Sequence, residues 1–138
     1  MDHIWTVICE KSITDSRSNN ISLINIMEQI RVAPKEDIRG ILLELEVVSL
    51  WCRSDADQPE TGHTRTILCS PIGDELAQSE LITIDLTKYQ RIRASWKFIG
   101  LPYSDDGRYH FVVQRQIDDQ WQTVATVPLE IIRDLPEE

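Results

Sequence analysis

Basic residues are scarce in this 138-residue chain: 14 Lys+Arg stand against 23 Asp+Glu, a formal net charge of -9. That balance disfavours nucleic acid as the main partner, because phosphate is repelled by such a surface. Cysteine is scarce too, and its odd count of three points to free thiols rather than a disulfide framework. No apolar run approaches the roughly 18 residues that a membrane-crossing helix needs. The opening residues, MDHIWTVICEKS, carry Asp2 and no basic stretch ahead of a long apolar one, unlike a secretory leader. Together these absences lead us to expect a protein of the reducing cytoplasm. The 5 Gly and 6 Pro are too scattered to form a linker, so one domain over residues 1–138 is expected.

Signatures of catalysis are also missing. There is no G-x-S-x-G, no P-loop and no G-x-G-x-x-G. Cys9, Cys52 and Cys69 lie in apolar runs and none belongs to a C-x-x-C, so they read as small buried hydrophobes rather than zinc ligands. His3, His63 and His110 form no pair at i,i+2 or i,i+4. The expectation is a protein that is not an enzyme and needs no cofactor. An enzyme with dispersed active-site residues would need a pocket that sets His63 or His110 beside a carboxylate.

What the chain has in abundance is alternation. Period-two patterning marks strands, since successive strand side chains point to opposite faces. Such runs occupy His3–Cys9, Ile41–Arg53, His63–Ser70, Leu81–Thr87, Arg91–Ile99, Gly107–Ile117 and Trp121–Ile131. Within Ile21–Ile30 the apolar residues Ile21, Ile24, Met27 and Ile30 fall three apart, a helical spacing, but β-branched content and short length favour a strand there. The link Asp118-Asp119 reads as a two-residue hairpin turn. About eight strands at regular spacing, with no long helix, predict an antiparallel sandwich or barrel. The four Trp suit the layer between two sheets.

Two charged features stand out. Lys88, Arg91, Arg93 and Lys97 concentrate basic charge in ten residues, and alternation puts the last three on one sheet face. They read either as a cross-strand ladder with Glu44 and Glu46 or as a docking patch for an acidic partner. Acidic loops should collect at the two ends of an antiparallel sandwich. One end would hold Asp15, Asp55, Asp57, Glu60, Asp118 and Asp119, the other Glu36, Asp37, Asp74, Glu75, Asp105 and Asp106. Asp55, Asp57, Asp118 and Asp119 are the candidate calcium ligands, because calcium takes several oxygens converging from loops. Ordinary solvated turns are the competing reading.

The segment Asp105-Asp106-Gly107-Arg108-Tyr109-His110-Phe111 reads D-x-G-x-Y-x-F. It resembles the turn and tyrosine corner of immunoglobulin-like sandwiches, in which the Tyr hydroxyl bonds back to nearby backbone. Phe111 then stands where antibody-type domains place their second disulfide cysteine. VICEKSITD, ISLINIMEQI, the long strand after them and GRYHFVVQRQIDDQWQTVATVPLEI together resemble a family of small bacterial β-sandwich proteins classed as a domain of unknown function. The resemblance implies an immunoglobulin-like all-β fold and brings no established activity. The functional expectation is a binding or assembly module. It would dock a protein partner, or form a homo-oligomer, through a sheet face or an edge strand. A loop-end domain for calcium or a small ligand is the alternative.

Overall fold

A computed structural model describes residues 1–32, 40–102 and 105–134, and the side chains of all of these but 40–43. Among the described residues there are ten strands and no helix. They are β1 (Asp2–Thr14), β2 (Ile21–Ile26), β3 (Gln29–Val32), β4 (Gly40–Cys52), β5 (Glu60–Cys69), β6 (Glu75–Gln78), β7 (Ile82–Leu86), β8 (Arg91–Pro102), β9 (Gly107–Ile117) and β10 (Gln120–Arg133). One sheet runs β2-β1-β4-β8 and the other β3-β10-β9-β5-β6, with β7 pairing a different stretch of β5. Neither sheet closes on itself. All pairings are antiparallel except β3 with β10.

The expected count of about eight strands is therefore too low, for two reasons. Glu75–Gln78, read as an acidic loop, forms the short strand β6 on part of β5. The run Ile21–Ile30, read as one strand, is two strands in different sheets. Asn25 adopts a positive φ of 53° near the end of β2. The chain then crosses over at Met27, whose N–H donates to Ile8 O (2.8 Å), and at Glu28, whose carbonyl accepts from Glu130 N (3.1 Å). Met27 and Ile30 both pack on the central core. The three-residue spacing that imitates a helix thus comes from a chain that changes sheets.

Elsewhere alternation translates directly into burial. Leu45, Val47 and Phe98 of the first sheet meet Leu68, Tyr109, Phe111, Leu129 and Ile131 of the second in one core. A second cluster around Trp51 contains Ile84, Leu86, Ala94 and Val113. The two sheets thus pack face to face. Asp118 and Asp119 both take positive φ (50° and 63°), the backbone of a tight two-residue hairpin.

Tyr109 is fully buried, and its hydroxyl donates to Asp105 O at 2.7 Å, tying the start of β9 to the turn before it. Tyr109→Phe keeps the ring and removes this donor, leaving a carbonyl short of a partner. We expect a loss of about 1 kcal/mol, read as a lower urea midpoint at unchanged slope.

Candidate functional site

Outer-facing residues of the first sheet are more deeply covered than a solvated face would be. Val48 is 1% exposed and Cys9 0%, although both point away from the core between the sheets. The β1–β2 hairpin curls over the part of this face that holds Val48. Its turn is held by Asp15, whose carboxylate accepts from Arg17 N (2.7 Å) and Ser18 N (2.9 Å), which keeps that acid below its ordinary pKa. The tip reaches over β4 to the far strand, where Arg93 Nη2 donates to Asn19 O at 2.9 Å. Deeper in, Ser12 Oγ donates to Glu46 Oε2 at 2.7 Å.

Between hairpin and sheet lies a groove of about 1450 Å³. Trp5, Val48, Leu50 and Cys52 form an apolar floor, hydroxyls of the hairpin line one wall, and Arg53, Arg91 and Arg93 line the other with Tyr89. No Asp or Glu lines it among the described residues, in a chain that has 23 of them. None of the three arginines belongs to an ion pair among the described residues. Arg53 is held in place by the carbonyls of Leu86 (2.8 Å), Ala56 (2.8 Å) and Thr87 (3.1 Å), which orient its guanidinium without neutralising it. Three cations thus share a concavity with no acid on its lining among the described residues, with the Glu46 carboxylate beneath it bonded to the lining residues Ser12 and Ser95; the exposed cations favour an anionic ligand.

The basic stripe is split by this geometry. Arg91 and Arg93 line the groove and Lys97 shares their face further along β8. Lys88 lies in the turn before β8, near Asp85. The carboxylate ladder does not form. Arg91 stands opposite Cys52, Arg93 opposite Leu50, and Glu44 opposite Ile99. Only Lys97 faces an acid, Glu46, and that carboxylate is bonded to Ser12 and to Ser95 (3.1 Å). Burial pushes the Glu46 carboxyl up, but the bonds from Ser12 and Ser95 and the charge of Lys97 outweigh it and hold the group below its ordinary value. Beside it, burial and the Glu46 charge raise the Cys9 thiol above its ordinary value, which favours the protonated form.

No family model matches the chain, and no curated protein matches it. The site therefore has to be read from its own chemistry.

At the loop ends, the acids serve local structure. Asp55 Oδ1 accepts from Asp57 N (3.0 Å), Asp106 Oδ2 from Arg133 N (3.1 Å), and Glu60 pairs with the Met1 amino group. Asp118 and Asp119 form the hairpin turn. Among the described residues no three acidic, His or Cys side chains are grouped so as to hold a metal ion. Glu36 and Asp37 lie outside the described residues. A smaller hollow of about 470 Å³ sits where bulges in β1 and β10 meet, and is lined by Asp2, His3 and Arg115. Burial lowers the His3 pKa, and its Nε2 lies 2.6 Å from Thr6 Oγ1. His63 and His110 line neither space.

Sequence reasoning found Arg91 and Arg93 but missed Trp5, Arg53 and the hairpin wall. The only available signal was the amphipathic outer face of the long strand, Glu46 to Cys52. Nothing in SITDSRSNN tells that this turn reaches across to β8.

Proposed function

We propose that this protein is a non-catalytic binding module of the cytoplasm, immunoglobulin-like in fold and related to the small bacterial sandwich family it resembles. It docks an acidic segment of a protein partner in the groove. The observation that carries this reading is the cluster of Arg53, Arg91 and Arg93 in a concavity with no acid on its lining among the described residues. The bond from Tyr109 to Asp105 O supports the immunoglobulin-like kinship. The apolar floor adds area that a charged rim alone would lack, as in interfaces with an apolar centre and polar edge.

Titration with a short poly-glutamate peptide, followed through tryptophan fluorescence, tests the idea. Binding should weaken as salt rises, since rim charges are screened within about 8 Å at physiological ionic strength. The double charge reversal Arg91→Glu with Arg93→Glu should weaken it about tenfold or more, because attraction becomes repulsion at both positions. Lys88→Glu, outside the groove, should change it little. No binding by the unaltered protein, or equal binding by the double variant, would sink the proposal.

A further inference from the structure

The open rim of the groove is a strand edge. β8 pairs with β4 along one side, and no strand takes its other side among the described residues. Among the described residues, none of the backbone bonds made outside strand pairs reaches β8 either. Alternate residues of the 12-residue β8 present N–H and C=O groups on this edge to an extended chain laid beside them, over the stretch before Gly100, whose φ is 82°. The side chains on the groove face of this strand are Arg91, Arg93, Ser95, Lys97 and Ile99, and Ile99 is 72% exposed.

We infer that the partner binds by adding a strand to β8, with carboxylates at alternate positions that stand opposite Arg91, Arg93 and Lys97. This deepens the acid-docking reading and rests on it. The warrant is register. Residues i and i+2 of any strand lie about 6.8 Å apart on one face, so a segment with acids at every second position matches the Arg91–Arg93 spacing along its length. Directly opposite side chains then come within about 5 Å, close enough for each pair to interact. An apolar residue further along the segment would cover Ile99. Backbone bonds supply affinity and the alternating side chains supply specificity, which is the logic of strand addition.

Two registers of a second copy on this edge are disfavoured. Antiparallel pairing of β8 with itself about Ser95 sets Arg93 opposite Lys97 twice, and pairing about Arg93 sets arginine against arginine. Like charges directly opposite destabilise a sheet. In those two registers the cations that recruit an acidic strand also oppose self-pairing.

Three peptides of equal length separate the possibilities: one alternating glutamate and valine, and two versions N-methylated on one or the other alternate set of amides. Methylation of the set that faces β8 should weaken binding about tenfold or more, while the other set should leave it nearly unchanged. Alternate β8 amides should also exchange hydrogen more slowly in the complex. If both methylated peptides bind like the parent while the Arg91→Glu, Arg93→Glu protein still loses it, strand addition is overturned and acid docking stands. If no peptide binds at all, both fall. Concentration-dependent dimerisation that the same double variant abolishes would identify a second copy as the occupant and overturn the proposal.

Discussion

Phe111→Ala should cost about 3–5 kcal/mol, the range for removing a fully buried phenylalanine ring. Phe111 is 0% exposed and sits on β9, in the second sheet. Its ring meets Phe98 edge-on at 6.1 Å and Trp96 at 6.2 Å, both on β8 in the first sheet. Trp96 and Phe98 are in turn 5.0 Å apart. The three rings join the two layers at a place where no disulfide does so; the three cysteines are free. Domains of this size have about 5–15 kcal/mol in total, so the variant should lose a large share of its stability. Phe111→Leu refills most of the space and should lose much less. Urea denaturation of both variants reads the difference. A loss below about 1 kcal/mol for the alanine variant would mean that the ring cluster does not hold the sheets together.

The second large effect is expected at Glu46, where charge and hydroxyls meet under the hairpin. Glu46 is 6% exposed and accepts from Ser12 and Ser95. Glu46→Ala removes two hydrogen bonds to a charged acceptor and leaves two donors without their partner. A loss of about 2–4 kcal/mol at neutral pH follows from bonds of that class. The pH dependence has a definite sign. The folded-state pKa lies below the unfolded value, so the contribution is complete above the unfolded carboxyl pKa of roughly 4.3 and declines as pH falls through the folded pKa. The stability gap between the natural protein and Glu46→Ala should therefore narrow in acid. Denaturation midpoints of both proteins across the acid range check it. A gap that stays constant, or widens, would show that the carboxylate's charge contributes nothing. Ser12→Ala should reproduce part of the effect, because Ser12 Oγ links the hairpin arm to this carboxylate.

Much of the fold was legible because strand patterning is local. The inward set Ile92, Ala94, Trp96 and Phe98, and the outward set Arg91, Arg93, Ser95 and Lys97, could be assigned from alternation alone, and the burial of Ala94 and Phe98 follows it. The hairpin at Asp118-Asp119 was legible for the same reason, since a two-residue link leaves few backbone options. The break after Ile26 was not. Whether Met27 continues a strand or crosses to the other sheet depends on contacts with Ile8 and Glu130, far away in the chain. The ladder between the basic stripe and Glu44 was misjudged because register between β4 and β8 is set by pairing over the whole strand, with an irregularity between Ile41 and Glu44. A slip of two residues exchanges one partner for the next while leaving every face unchanged.

Read alone, the residues determined that this chain makes pleated sheets with one greasy and one wetter side, and that its rare cations gather on the wetter side of one strand. Side-chain alternation is a property of each strand by itself, so no distant contact is needed to see it. That those cations border a concavity with no acid on its lining among the described residues was decided only in three dimensions. It required the β1–β2 hairpin to arch over β4 and the loop carrying Arg53 to fold against β7 and β8. Both depend on hydrogen bonds between segments dozens of residues apart, such as Arg93 to Asn19 and Arg53 to Leu86.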